Sequence, residues 1–266
     1  MGTFGFIGTG NMGGALAKAA VKTLGSAVAL SDKAEDKAAA LAAELGCRTA
    51  TVAQVAETCE YIFLGVKPQV MGFLFEEIAP ILAKRTDRFV LVSMAAGLTI
   101  SRIRQMAGGD YPVIRIMPNT PASVGEGMIL YALENVSEDE LETFLSGMAK
   151  AGKFCALPES LIDAGSALSG CGPAYVCLFL EALADGGVAC GLPRQQALEL
   201  AAQTLLGTAK LVQQTGQHPG ALKDAVCSPG GSTIAGVAAL ENGGFRGTVM
   251  EAVAEAFRRT KELGQN

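Results

Sequence analysis

The first hundred residues alternate short apolar runs with alanine-rich stretches of helical period. Residues 3–7, 27–30, 61–66, 89–94 and 113–117 are apolar almost without interruption. Strands covered on both faces read this way. Residues 12–23 and 34–45 instead repeat their apolar positions as amphipathic helices do. Strand and helix taking turns predict an α/β domain built on a predominantly parallel sheet.

Beyond about residue 155 the pattern becomes helical throughout, over 161–168, 174–189, 193–214, 232–240 and 245–263. In the third of these, Leu198, Ala201, Ala202, Leu205, Ala209 and Val212 share a face, and Pro193 suits a first helical position. The second is apolar nearly all round, from Tyr175 through Leu178, Phe179, Ala182 and Leu183. A helix of that kind needs cover on every side. The back of the chain is too short to supply it alone, which predicts a second subunit. The expected division is 1–155 for the α/β domain and 156–266 for an all-α domain.

Composition narrows the function classes. Only 18% of residues are charged, so the chain folds rather than remaining disordered. A net charge of −5 offers no footprint for nucleic acid and no attraction to anionic lipid. No run approaches the roughly 18 apolar residues of a membrane span, so no membrane partner is expected. Gly8 and Gly10 break the apolar stretch that a signal peptide requires. Seven cysteines form no C-x-x-C pair, and with one histidine no Cys/His zinc site or other metal centre is expected. Their odd number predicts reduced, mostly buried thiols in a cytoplasmic protein.

The chemistry begins at the first strand. Phe4-Gly5-Phe6-Ile7 runs directly into Gly8-Thr9-Gly10-Asn11-Met12-Gly13, a G-x-G-x-x-G between a strand and a helix. Gly8 permits the tight turn, Gly10 lets backbone approach a pyrophosphate, and Gly13 lets helix and strand pack closely. The helix start presents free N–H groups to the phosphates. The second strand ends in Ser31-Asp32-Lys33. An acid there grips a ribose 2′-hydroxyl in NAD sites, whereas Ser31 and Lys33 suit the extra phosphate of NADP, and all three also suit a solvated loop. Local chemistry leaves both cofactors open. Gly65-Val66-Lys67-Pro68, Ser93-Met94-Ala95-Ala96-Gly97 and Met117-Pro118-Asn119-Thr120-Pro121 end further strands and should line the same crevice. Lys67 reads as a cofactor ligand, and the small residues after Ser93 would let a nicotinamide lie against backbone.

Two glycine-proline islands interrupt the helical half: Ser169-Gly170-Cys171-Gly172-Pro173 and Ser228-Pro229-Gly230-Gly231-Ser232-Thr233. The second opens a helix, so its N–H groups form a nest for a carboxylate. Capping by Ser232 is the plainer reading, but it leaves two glycines after a proline unexplained. His218, the single histidine, sits in a Gln-His-Pro loop and reads as structural.

Taken together, these motifs resemble those of the 1-pyrroline-5-carboxylate reductase family, nearly end to end. The shared marks also include Leu168, the Ala174-Tyr175 that follows Pro173, and Gly243-Gly244-Phe245-Arg246. The resemblance implies a Rossmann-type N-terminal domain and an all-α C-terminal dimerisation domain, forming a homo-oligomer that is a dimer or a ring of dimers. It implies cofactor contacts at Ile7, Gly8, Thr9, Gly10, Asn11, Met12, Gly65, Val66, Lys67, Met94, Ala95 and Ala96. It implies substrate contacts at Ser228, Gly230, Gly231, Ser232 and Thr233, with Glu159 close by. The expected reaction is hydride transfer to a protonated cyclic imine, giving L-proline, with the Thr233 hydroxyl on the ring nitrogen. NADP(H) is the implied cofactor despite Asp32, with NAD(H) possible. Three positions depart from the family pattern: Cys171, Ala225 and Val52. Two alternatives stand beside this reading. A 3-hydroxyacid dehydrogenase of the 6-phosphogluconate type needs a lysine that residues 174–179 lack. A non-catalytic nucleotide sensor would leave the Ser-Pro-Gly-Gly stretch idle.

Overall fold

The structure, a computed structural model, describes residues 2–264. Contacts group the chain up to Cys171, with the residues from Phe257 onward, into one compact unit, and Gly172–Ala256 into another.

The first unit is a sheet with helices on both faces. Its strands are β1 (Phe4–Ile7), β2 (Val28–Ser31), β3 (Arg48–Thr49), β4 (Tyr61–Leu64), β5 (Val90–Ser93), β6 (Val113–Met117), β7 (Gly127–Glu134) and β8 (Gly152–Ala156). Helices α1 (Asn11–Leu24), α2 (Glu35–Leu45), α3 (Val52–Thr58), α4 (Met71–Leu82), α5 (Ile100–Ala107), α6 (Glu138–Gly147) and α7 (Ile162–Ser169) belong to the same unit. The strand order is β3-β2-β1-β4-β5-β6-β7-β8. All neighbours are parallel except β6 and β7. The sheet is therefore predominantly parallel, as the apolar runs predict. β7 and β8 and helices α3 to α6 are additions that the sequence pattern did not single out.

Two cores follow from the period-two alternation of strand side chains. Phe4, Phe6, Tyr61 and Phe63 face α1 and α6, where Phe6 stacks on Phe63 at 4.1 Å and Phe144 lies beside them. Ile7, Ile62 and Leu64 face the opposite side, with Val55, Ile78 and Ile103. Gly5 points the same way, and a side chain there would strike Val55 at 2.4 Å. Strand order reverses between β1 and β4, the place where open α/β sheets bind ligands at their carboxyl ends.

The second unit holds α8 (Gly172–Ala189), α9 (Arg194–Thr215), α10 (Pro219–Ala225), α11 (Ser232–Asn242) and most of α12 (Phe245–Gly264). Its own core is small: Ala184, Ala197 and Ala201, flanked by Leu180 and Val188. Leu178 is 66% exposed and Met250 73%. Tyr175, Leu178, Phe179, Phe245 and Val249 line an apolar groove of about 570 Å³. An exposed apolar patch of this kind marks a protein interface.

Two expectations need correction. Only Cys59 among the seven free cysteines is buried, and Cys177 and Cys190 are exposed. Small thiols stay inside only where a core surrounds them, and the second unit has almost none. The stretch Glu159–Ala189 is, by length and composition, long and apolar enough to cross a membrane, an 18-residue window within it having mean hydropathy 1.5. Counting unbroken apolar runs misses it because Ser, Gly and Pro interrupt the run without lowering its average much. Helices awaiting protein cover share that composition.

Candidate cofactor and substrate sites

The turn after β1 is dictated by backbone crowding. Gly8 lies at φ +102°, a conformation that L side chains rarely adopt. A Cβ on Gly8 would come within 2.6 Å of the Gly65 carbonyl oxygen, and one on Gly13 within 2.1 Å of the Gly8 oxygen. These glycines join β1, β4 and α1: the Gly65 N–H donates to the Ile7 carbonyl and the Gly8 N–H to the Ser31 carbonyl, both at 2.8 Å. Gly10 differs. No atom lies within 4 Å of a Cβ built there, so protein packing gives no reason for a glycine. Gly10 is the N-cap of α1, no side chain caps the helix, and no acid stands in its first turn. A bare helix start beside free space fits a pyrophosphate.

Asp32 does not stand free to meet a ribose. Its carboxylate accepts from the Thr9 N–H at 2.7 Å, the Thr9 hydroxyl at 2.8 Å and the Ala34 N–H at 3.1 Å. Burial by itself would raise the Asp32 carboxyl. The hydrogen bonds from Thr9 and Ala34, with the Lys37 charge, outweigh it and hold the group below the usual carboxylate range. Ser31 and Lys33 line a groove of about 560 Å³ together with Thr51, Val52 and Gln54. Lys33 is exposed, while Ser31 is buried. Val52, one of the departures from the family pattern, is thus on the wall of this groove.

The other strand ends gather nearby. Lys67 is exposed after β4, Ala95 is buried after β5, and Ala96 is exposed. Asn119 is 9% exposed and serves the fold itself, since its Nδ2 donates to the Ser169 carbonyl and its Oδ1 accepts from the Met128 N–H, both at 2.9 Å. Glu159 is also engaged. Its Oε1 accepts from the Ile100 N–H at 2.7 Å and from Arg115 Nη1 at 3.1 Å. Arg115, which sequence reading passed over, is a charged residue in the middle of a buried strand. That break in the apolar run Val113–Met117 was the available signal.

In the helical unit, the stretch before α11 is a turn set by its residue types. The Gly231 N–H donates to the Ser228 carbonyl at 3.0 Å. Pro229 stands at the second position and Gly230 at the third with φ +68°, as a type II turn demands. A side chain on Gly231 would meet Ser228 Oγ at 2.4 Å. Gly231 is the N-cap, and Ser232 is the first helical residue, so the capping role considered for Ser232 is not the one it has. No side chain caps α11, and Ser228, Ser232 and Thr233 lie around its start, all three exposed. His218 caps α10, its Nδ1 accepting from the Gly220 N–H at 3.0 Å.

Comparison with known proteins agrees with both halves. A family described as "Pyrroline-5-carboxylate reductase dimerisation" matches residues 159–263, and one described as "NADP oxidoreductase coenzyme F420-dependent" matches residues 3–97. The chain is 40% identical to the pyrroline-5-carboxylate reductase of Escherichia coli, over 98% of each chain. It is 47% identical to that of a Synechocystis strain, over 80% of this chain and 78% of the relative. Among solved structures, the Coxiella burnetii pyrroline-5-carboxylate reductase superposes with a TM-score of 0.91 at 31% identity, over 98% of each chain. The Plasmodium falciparum pyrroline carboxylate reductase with NADP bound gives 0.87 at 32%, over 99% of this chain and 98% of that one. With its glycine-shaped nucleotide turn, its uncapped Ser-Pro-Gly-Gly helix and these relatives over nearly its whole length, the chain belongs to the pyrroline-5-carboxylate reductase family.

Proposed function

We propose that this protein reduces (S)-1-pyrroline-5-carboxylate to L-proline, using NADPH in preference to NADH. One observation carries the reading: α1 and α11 both begin on glycine N-caps with no side-chain acceptor and no acid in the first turn. Each leaves its first N–H groups for an anion, a pyrophosphate at α1 and an amino-acid carboxylate at α11.

Residues 1–155 serve as the dinucleotide domain. Ile7, Gly8, Thr9, Gly10, Asn11 and Met12 hold the pyrophosphate, and Ser31 and Lys33 take the 2′-phosphate. Gly65, Val66 and Lys67, with Met94, Ala95 and Ala96, receive the nicotinamide half. When bound, the reduced nicotinamide supplies the hydride. Residues 156–266 serve as the helical dimerisation and substrate domain. The N–H groups of Gly230, Ser232 and Thr233 and the Ser228 and Ser232 hydroxyls hold the carboxylate, and Gly231, whose own N–H goes to the Ser228 carbonyl, shapes the turn against it. The Thr233 hydroxyl hydrogen-bonds the ring nitrogen. A protonated imine brings its own proton, so the protein's work is orientation and electrostatic stabilisation rather than proton transfer. His218, committed to a helix cap, fits that scheme. The apolar groove of the helical unit is covered by a second copy of the chain in a dimer or a ring of dimers in the cytoplasm.

The test is direct. Purified protein mixed with pyrroline-5-carboxylate should oxidise NADPH, and NADH more slowly, with L-proline as product. Nucleotide binding without turnover would replace the enzyme with a sensor.

A further inference from the structure

We propose that Arg115 is a positioning residue for this reaction, holding the β5–α5 loop and the first turn of α7 from one buried charge. The inference rests on the proposed function, in which Met94, Ala95 and Ala96 meet the nicotinamide half.

Arg115 stands in β6, paired in register with Ser93, the last residue of β5. Its side chain is only 3% exposed. Burying a guanidinium is costly unless its partners satisfy it, and even so the Arg115 Nε has no partner. A methionine would fill the same length of strand without that burden. The charge is therefore kept for what it holds.

It holds two things. Arg115 Nη2 donates to Asp163 Oδ1 at 2.9 Å, in the first turn of α7, and Nη1 donates to Glu159 Oε1 at 3.1 Å. The same Glu159 oxygen accepts the Ile100 N–H at 2.7 Å, and Ile100 opens α5. Thr99 completes that helix start by accepting from the Arg102 N–H. The loop of residues 94–99 is thus tied at one end to β5, which pairs with β6, and at the other to a carboxylate that Arg115 orients. Between those ends, Gly97 turns the chain at φ +78°, and the Leu98 N–H reaches the Ala95 carbonyl at 3.4 Å. Asn119, four residues beyond Arg115, grips the Ser169 carbonyl and so holds the other end of α7. Misplacing a positioned ring by about an ångström costs on the order of 100-fold in rate. On this view Glu159 acts from behind the site, through the Ile100 N–H, rather than on substrate.

The experiment compares Arg115→Met, Arg115→Lys and Glu159→Gln with the parent protein, measuring kcat and binding of NADPH and of the fragment 2′,5′-ADP. The fragment needs only the β1 and β2 turns. Arg115→Met should weaken NADPH about 10-fold and lower kcat roughly 10- to 100-fold, with fragment affinity kept within about twofold. Arg115→Lys should restore part of the loss, since it keeps the charge but not the fork. Glu159→Gln, which retains an acceptor for Ile100, should show a milder form of the same split and guards against a misfolded Arg115→Met. Equal weakening of fragment and NADPH, or unchanged kcat and NADPH binding, would overturn the proposal. If the parent itself fails to bind NADPH, the underlying functional reading falls too, and the parent's failure distinguishes that case.

Discussion

The Asp32 carboxylate accepts both the main-chain N–H and the hydroxyl of Thr9, at 2.7 and 2.8 Å. The acid that elsewhere marks an NAD site is here spent on holding the glycine turn that follows β1. Asp32→Ala should therefore loosen the turn and raise the KM for NADPH about 10-fold, with a stability loss of roughly 1–2 kcal/mol for hydrogen bonds to a partly exposed charge. The pH dependence has a definite sign. Because the folded carboxyl lies below its ordinary value of 3.8, its contribution is fully present above that value and is lost as pH falls through the depressed one. An acid-melting series should show a smaller drop below about pH 4 in Asp32→Ala than in the parent.

Two glycines of the same motif should respond in opposite ways. Gly10 has open space around a built Cβ and an extended N-cap conformation (φ −63°, ψ −172°) that alanine adopts freely. Gly10→Ala should keep the parent's melting temperature while weakening NADPH by about 10-fold or more, because the methyl would stand where we propose the pyrophosphate approaches. Gly13→Ala would place its methyl 2.1 Å from the Gly8 oxygen. It should lower stability by about 1–3 kcal/mol, as overpacking does. Calorimetry and nucleotide titration of the two variants separate the roles.

Thr233 stands in the first turn of α11, exposed and next to the glycine nest. Thr233→Ala should lower kcat/KM for pyrroline-5-carboxylate about 10- to 100-fold, matching ~1.5–3 kcal/mol for a hydrogen bond to a charged group. Thr233→Ser should recover most of it. Melting temperatures should not differ. Unchanged steady-state kinetics would remove Thr233 from the mechanism.

The helical unit has a minimal core of its own and wide apolar exposure. Leu178→Asp, at a residue 66% exposed in the single chain, should shift sedimentation toward monomer and lower the melting temperature. An unpaired carboxylate would have to be buried in the assembled interface. A variant that still sediments with the parent would show that this face is not the contact.

The α/β alternation, the strand-to-helix G-x-G-x-x-G and the over-apolar α8 were all readable in the chain, because each depends on local period or a short motif. Even so, β7 and β8 were not singled out. β7 carries half-buried positions and pairs antiparallel with β6, and β8 is an edge strand with mixed burial. Neither has the unbroken apolar run of a central parallel strand. Asp32 was placed at the correct position, but its partner is 23 residues away across the turn, and no sequence period links the two. Arg115 was legible only as an anomaly, a charge inside Val113–Met117. Its meaning lies in Glu159 and Asp163, 44 and 48 residues further on.

The sequence by itself determined the α/β-then-helical order and the two glycine-rich helix starts, and predicted a partner subunit, since turn chemistry and hydrophobic period are properties of neighbouring residues. Only the tertiary structure decided which polar side chains are free for ligands and which are spent on the protein. Asp32, Glu159 and Asn119 look alike in the chain as candidate ligands, and all three are committed to backbone N–H or carbonyl groups. A hydrogen bond requires two groups at about 3 Å, and only folding brings residues so far apart in the chain to that distance.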